Sequence, residues 1–524
     1  MPISHGDQLF RLIESLTKAE KRNFRLYAKK IQGEGDVKFL QLFDLLEKQK
    51  EFDEDAVLLK MKGNKTQFSN IKRHLYQHIL TSLRLMEIYK SEEIQVREWI
   101  DYASILYGRG LYIHSLKLLS KSKSLAEKIN HDILLLEIVE FEKRIESRHI
   151  TRSSTERMEG LTEEAKKHSN TSLNNAILSN LKLMLQREFI NKGHVKDEAG
   201  LRKLDVYLRQ ISIDEHQPHL TFFEKVYLYQ VYFWYYYLLL DYEKCKEYAL
   251  KWVAEYDNEP KMIDMDVDIY MIGLHHLLST TFFLRDYSLF SKTLGQLEKF
   301  RKDSYRQFNS NSRIMSFLFV HQGRFNQYFL SGDFQEGVIK IIPHTLNRLT
   351  KFENKLDTHK VLVMYFKIAW MYMGAGKQDQ AIDYLNRILN HSERALREDI
   401  QAYASLLFIM AHFDLKNYDL LEYLVTNTSR FINRMRDASQ LQKSSIRFFR
   451  QLVNTPPDDY IKRFLKFRDQ LAALKLEPYE KRSFVFLDIE SWIESKIQQK
   501  TLQLVVKERF LRRMELALEN EARD

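Results

Sequence analysis

The stretch Tyr365–Leu389, YFKIAWMYMGAGKQDQAIDYLNRIL, reads as two helices joined by a tight turn. Tyr365, Ile368, Ala369 and Tyr372 recur at helical spacing before the turn, and Ala381, Leu385 and Ile388 recur at the same spacing after it. This is the period of an amphipathic helix. GAGK (374–377) breaks the run with two glycines, the residue type that most readily ends a helix in a left-handed turn. Small residues face large ones. Ala369 and Ala381 let the two helices approach, and Tyr365 and Tyr372 fill the groove towards a neighbouring unit. A lone hairpin of this kind leaves apolar surface on both flanks, so it must stack.

Related turns recur outward from this stretch, each with an aromatic residue: GRGLY (108–112), LDYEKC (240–245), RDYSLF (285–290), SGDFQEG (331–337) and LKNYDLL (415–421). The later ones fall about 40–47 residues apart, a period in the range of helical solenoids. Eight helix pairs fit between 92 and 436, at 92–128, 131–169, 172–210, 219–256, 263–302, 308–350, 355–391 and 395–436. Connectors are marked by NTS (170–172), DEHQP (214–218), DNEP (257–260) and NSNS (309–312). The second and third pairs lack the turn aromatic, near RHITRSS (148–154) and NKGHV (191–195). They are placed by the 130 residues from Tyr112 to Tyr242, about three periods.

Residues 1–90 do not follow this rhythm and predict a small helical domain with helices near 6–15, 18–31, 37–50, 53–62 and 66–89. Thr17-x-x-Glu20 has the form of a capping box, and GEG (33–35) and KGNK (62–65) end helices. In the last of these helices Phe68, Ile71, Leu75, Ile79, Leu83 and Met86 share one face. After 436 the pattern changes, with Pro456-Pro457 interrupting the chain and Pro478 opening a final stretch. Residues 480–520 predict one or two charged helices with Phe484, Leu487, Trp492, Ile497, Leu502, Val505 and Leu511 inward, suited to capping the last repeat. The expected division is 1–90, 91–436 and 437–524.

The Tyr365–Leu389 unit resembles a tetratricopeptide repeat. Tyr365 and Tyr372 stand at that family's aromatic positions, Ile368-Ala369 at its large-small pair, Gly376 at its turn glycine and Ala381 at the small residue opening its second helix. The first pair is similar, with Trp99, Tyr102, Ala103 and Leu106 on one helix and Tyr112, Ser115 and Leu119 on the next. Elsewhere the turn aromatic stays but Phe233 and Leu278 replace the usual Gly or Ala, and the period exceeds the ~34 residues of the standard repeat. The resemblance covers roughly two-thirds of the chain. It implies an all-α, right-handed superhelix whose concave groove takes peptides or partner helices, and it carries over no catalytic residue.

Composition agrees with long helices. Of 524 residues only 16 are Gly and 7 Pro, too few turn formers for an all-β chain. The 28 Tyr and 33 Phe read as inter-helix packing. The single cysteine, Cys245, cannot form an internal disulfide, which predicts a reducing cytoplasm. MPISHGDQLF (1–10) has neither the basic flank nor the apolar run of a secretory signal. Val226–Leu240, the longest uncharged apolar stretch, contains six tyrosines and is shorter than the ~20 residues a membrane span needs. A buried helix is expected there. Net charge is +10, much of it locally cancelled, as in EKRIESR (142–148). The excess permits acidic partners without demanding them.

No nucleophile, base and orienting group can be placed together. Phosphate-loop, GxSxG and Rossmann fingerprints are missing from the sequence, so no enzyme activity, cofactor or metal is expected. His74 and His78 are spaced i, i+4, but Leu75 stands where a metalloprotease needs Glu. Asp264, Asp266 and Asp268 lack the Gly and Glu of a calcium loop and suit a helix N-terminus instead. His275 and His276 sit inside an apolar helix. The expected function is a non-enzymatic scaffold or adaptor holding a protein or peptide in the groove. Arg324, Gln327, Tyr328, Lys367 and Tyr403 are its candidate contacts, taken from the first helices of repeats. The alternative is a regulator whose N-terminal domain binds nucleic acid while its repeats sense a peptide or protein. TKAEKRNFRLYAKK (17–30) carries six basic residues and one acidic, and the helix from Thr66 would bring Lys65, Lys72, Arg73 and Gln77 to phosphates and base edges. A third reading is a structural subunit of a larger assembly. KERFLRRMELALENEARD (507–524) mixes signs, which fits a partner helix or cap better than nucleic acid.

Overall fold

The computed structural model describes residues 5–32, 38–61, 65–88, 90–149, 154–195, 197–217, 219–352, 355–391, 398–435, 438–477, 480 and 483–521. It is all-helical, with no strand among the described residues. The chain divides into two compact units, Met1–Ser172 and Leu173–Asp524. This division does not coincide with the expected boundaries at 90 and 436.

The first unit opens with α1 (His5–Ser15), α2 (Lys18–Gln32), α3 (Lys38–Glu47), α4 (Glu54–Met61) and α5 (Lys65–Glu87). The capping box starts α2: the Thr17 amide donates to Glu20 Oε2 at 2.6 Å, and the Glu20 amide donates back to Thr17 Oγ1 at 3.3 Å. Phe24, Leu42, Phe43, Leu75 and Ile79 form the centre of a core shared by these helices. A separate core, built on Ala103, Leu119, Leu134 and Ile138, joins α6 (Glu92–Gly108), α7 (Tyr112–Lys128) and α8 (Asp132–Arg148). The next helix, α9, runs unbroken from Thr155 to Lys192. It passes through NTS (170–172), where a connector was expected, and carries the boundary between the units. These three residues have only modest aversion to a helix interior, and without Gly or Pro they do not stop one. Thr171 is buried there.

In the second unit α10 (Glu198–Leu208) precedes a series of packed helices: α11 (Phe222–Leu238), α12 (Tyr242–Asn258), the short α13 (Lys261–Met265), α14 (Val267–Leu284), α15 (Tyr287–Ser304), α16 (Ser310–Ser331), α17 (Phe334–Lys340), α18 (Ile342–Phe352), α19 (Thr358–Gly374), α20 (Gln378–Leu389), α21 (Glu398–Asp414) and α22 (Tyr418–Arg434). From α11 to α18 each helix packs on the next, α17 also packs on α19, and from α19 to α22 each again packs on the next; α14, α16, α19 and α21 also pack on one another in order. The helical-repeat expectation therefore holds at the level of architecture. The expected buried helix at 226–240 corresponds to α11, where Val226, Leu228, Val231 and Phe233 are fully buried. Among the described residues one helix, α14, is long and apolar enough to cross a membrane, and half of that window is buried inside the unit. Its Met271, Leu274, Leu277 and Leu278 lie in the core.

One turn geometry joins the paired helices. Gly110, Leu240, Arg285, Gly376 and Lys416 all have positive φ, between 59° and 80°. The next amide reaches back five residues, as in Leu111 to Leu106, Asp241 to Tyr236, Asp286 to Thr281, Lys377 to Tyr372 and Asn417 to His412. This double closure satisfies the last carbonyls of the first helix. The residue two places after the left-handed one opens the next helix. It is Tyr112, Tyr242, Tyr287 or Tyr418 in four of the five turns, which explains why the turn aromatic recurs in register.

The array continues past 436. α23 (Gln440–Val453) packs on α22, and α24 (Tyr460–Leu474) follows a 3-10 turn at Pro457–Asp459. The final segment, α25 (Ser483–Phe486), α26 (Ile489–Ile497) and α27 (Leu502–Glu521), does more than cap the last pair. It folds back along the turn edge of earlier pairs. Lys507 pairs with Asp333 at 2.7 Å, the Gln335 amide donates to Gln503 Oε1 at 2.9 Å, and the Phe510 ring meets Tyr287 edge-on at 4.8 Å. Leu487, Trp492, Leu502 and Val505 point inward as expected, but Leu511 is half exposed, because α27 is held along one narrow face only.

Candidate functional site

The first helices of four successive pairs, with the returning C-terminal segment, enclose a cavity of about 190 Å³. Each helix contributes one face at helical spacing: His275, Ser279 and Phe282 from α14; Gln322, Asn326 and Phe329 from α16; Val363, Lys367 and Trp370 from α19; Ile400 and Tyr403 from α21. Phe486 and Asp488 close one side. The wall is rich in aromatic rings, interspersed with polar and charged groups that include Asp399 and Lys367.

Three of these groups, His275, Asn326 and Lys367, are held in place. Lys367 Nζ donates to Asn326 Oδ1 at 2.6 Å and lies 5.5 Å from the Phe329 ring centroid. Burial among these side chains pushes its ammonium down to about 8, since desolvation disfavours the charged form. The His275 ring stacks on Phe319, 4.0 Å between centroids and nearly parallel. Burial and the nearby Lys367 charge bring His275 to about 4, so it faces the cavity as a neutral imidazole at pH 7. His276, pushed to about 3 by burial and then by His275, turns the other way and packs on Phe233 and Trp234.

Of the five groove residues expected from sequence, Lys367 and Tyr403 line the cavity. The other three belong to a different face of α16. Arg324 forms an ion pair with Glu298 of α15, with Nη2 donating to Oε2 at 2.6 Å, and its Nη1 donates to Gln327 Oε1 at 3.4 Å. Tyr328 lies against Gly337 of α17. Arg324 and Tyr328 thus tie α16 to the second helices. Gln322 and Asn326, two places off, carry the cavity face that sequence reasoning missed. The available signal was the polar break in each apolar first helix at matching phase: His275, Asn326, Lys367.

The candidate nucleic-acid residues separate in the same way. Lys72 pairs with Glu54 and lies 4.9 Å from the Phe68 ring centroid, with its side chain only 15% exposed. It braces α5 against α4 and does not project outward. Arg73 and Gln77 are exposed on α5. The side chain of Lys65 lies outside the described residues. Within 17–30, Arg25 bonds Asp44 and Glu47, and Lys21 pairs with Glu47 at 3.4 Å.

His78 stacks on Phe39 at 4.7 Å and approaches Tyr27 Oη at 3.4 Å, while His74 is exposed. Asp266 caps α14, its Oδ1 accepting from the Ile269 amide at 3.1 Å, and Asp268 follows in the first turn. Among the described residues no three His, Cys, Asp or Glu side chains come together as a metal site. In comparisons with known proteins the chain matches no family model, no curated protein and no solved structure.

Proposed function

We propose that Leu173–Asp524 is a non-enzymatic adaptor that grips a segment of a protein partner by seating one large apolar side chain in the cavity. Gln322, Asn326 and Lys367 would meet the main chain or a polar neighbour of that anchor. The observation that carries this reading is the lining: four successive first helices present aromatic side chains beside the hydrogen-bonded Lys367–Asn326 pair and Gln322. Size narrows the occupant. Small-molecule sites run about 300–1,000 Å³, above this cavity, whereas one anchor residue is how many peptide grooves gain affinity. Val363→Trp places an indole in the cavity. In a displayed library of short peptides, wild-type protein is expected to select sequences sharing one aromatic or large aliphatic position, and Val363→Trp to weaken them at least tenfold with an unchanged circular dichroism spectrum. Arg324→Ala, on the other face of α16, is expected to change affinity by less than twofold. Selection of no peptide, or equal binding by Val363→Trp, would end this reading.

The finer architecture belongs to the same proposal. We read the pairs as tetratricopeptide-like and wound as a right-handed superhelix, supported by the repeated left-handed turn with its following aromatic. A cytoplasmic setting is supported by Cys245, whose buried thiol approaches the Phe233 carbonyl at 3.7 Å and is pushed well above its ordinary range by burial.

A second reading has one favouring observation in the first unit. The exposed face of α5 holds Ser69, Asn70, Arg73 and Gln77, residue types that read base edges. Arg73→Glu is the informative variant, expected to weaken duplex DNA binding about tenfold at low salt. Lys72→Glu would instead set two carboxylates against each other and report on stability. Salt-independent binding, or affinity unchanged by Arg73→Glu, would remove DNA from consideration.

A further inference from the structure

A second cavity, of about 470 Å³, adjoins the first and shares Phe283, Arg285 and Asp488 with it. Its walls come from the α14–α15 turn, from Tyr242 at the start of α12, from Lys475 after α24 and from the C-terminal segment. Arg509 and Arg513 face it from one side of α27, spaced i, i+4, and Arg285 faces it from the turn. Arg285 is itself in the left-handed conformation, φ 59°, which aims its side chain from the tip of the turn.

Of the two carboxylates in this cavity, Glu490 is paired with a cation and Asp488 is held by neutral donors. Asp488 caps α26, accepting from the Ser491 amide at 3.1 Å and the Ser491 hydroxyl at 2.8 Å. Glu490 pairs with Lys475 at 2.8 Å. Among the described residues the guanidiniums meet only neutral groups. Arg509 Nη1 donates to Ser491 Oγ at 2.8 Å and Arg285 lies over the Phe282 ring. Among the described residues none of the three arginines forms an ion pair with a carboxylate. Burial, then Arg285, then Arg509 hold Arg513 below its ordinary value, with Asp488 opposing. Three like charges are gathered around a space large enough for a small molecule, an arrangement that an anion would relieve.

We infer that this cavity binds a small multivalent oxyanion, a phosphoryl or polycarboxylate group, through Arg285, Arg509 and Arg513. Planar guanidiniums suit either group, since each offers paired N–H donors to two oxygens. The inference goes beyond the peptide reading and does not depend on it. A bound anion would draw Arg285 and α27 together beside the mouth of the first cavity, so the two sites would be coupled.

The test uses the full chain and two probes, sodium pyrophosphate and sodium citrate, each titrated calorimetrically against chloride at equal ionic strength. At least one probe is expected to bind, and which one binds more tightly assigns the phosphoryl or polycarboxylate class. Arg513→Gln is expected to lower that affinity at least tenfold, and Arg512→Gln, exposed on the same helix, to leave it within twofold. Val363→Trp is expected to retain anion binding, so a failed peptide reading and a failed anion reading give different results. Binding of neither probe, or equal binding by Arg513→Gln, would overturn the inference. Should Arg513→Gln prove poorly folded, Arg509→Gln serves in its place with the same tenfold expectation.

Discussion

Gly332→Ala is expected to destabilise the second unit by about 3 kcal/mol, against about 1 kcal/mol for Gly376→Ala. Both glycines end the first helix of a pair with positive φ, 78° and 73°, and both lose the same conformational freedom on substitution. They differ in what a Cβ would meet. At Gly376 there is nothing within 4 Å. At Gly332 the new carbon would lie 2.7 Å from the Lys507 amide nitrogen, 3.0 Å from its Cα and 3.1 Å from the Gln503 carbonyl oxygen. These are main-chain atoms of α27 and cannot swing aside. The returning helix would have to lift from the turn, weakening the Lys507–Asp333 pair and the Gln335–Gln503 hydrogen bond. Urea denaturation followed by circular dichroism gives the two energies. Amide hydrogen exchange places the Gly332→Ala loss in α27 and α17, leaving α1–α5 as in wild type. Equal effects of the two substitutions would mean that α27 is not docked on that turn.

Much of this architecture is legible in the sequence because it is local. The helices expected in 1–90 differ from the observed ones by a few residues at most, since caps such as Thr17-x-x-Glu20 act within one turn. The recurring turn is legible for the same reason: a left-handed residue fixes the start of the next helix two places on. Three features are not local. The helix α9 continues through Asn170–Ser172 because tertiary burial, of Thr171 among others, outweighs a weak local preference. The inward face of α27 is set by the turns of α14–α15 and α16–α17, some two hundred residues away, so Leu511 reads as core by periodicity yet is exposed. The cavity face of α16 is fixed by which neighbours its flanks meet. Within α16 alone an amphipathic pattern does not separate Arg324, which locks onto Glu298, from Asn326, which meets Lys367; only the phase shared with His275 and Lys367 on other first helices does.

Trp492→Ala is expected to cost about 3–5 kcal/mol, the range for removing a large buried aromatic, and to remove anion binding along with it. Trp492 is fully buried, and its ring meets Phe413, Phe449 and Phe464 at 5.6–5.9 Å. Its indole N–H donates to both oxygens of Asp414, at 3.1 and 3.2 Å. Asp414 is the last residue of α21, where the helix dipole opposes a carboxylate, and its side chain is only 9% exposed. It is tolerated there because Trp492 and Lys496, at 2.6 Å, compensate it. Trp492→Phe separates the two contributions. It keeps most of the ring packing, loses the hydrogen bonds to a buried charge, and is expected to cost about 1.5–3 kcal/mol. The functional consequence follows from chain order. Trp492 anchors α26, and α26 is capped by Asp488, which lines both cavities, two residues after Phe486. Releasing α26 therefore opens the wall between the proposed peptide anchor site and the arginine cluster. Pyrophosphate or citrate titration of Trp492→Ala, below its unfolding midpoint, checks this link. Loss of binding with the helical signal retained is the expected result, and wild-type affinity in that variant would show that the C-terminal segment does not build the arginine site.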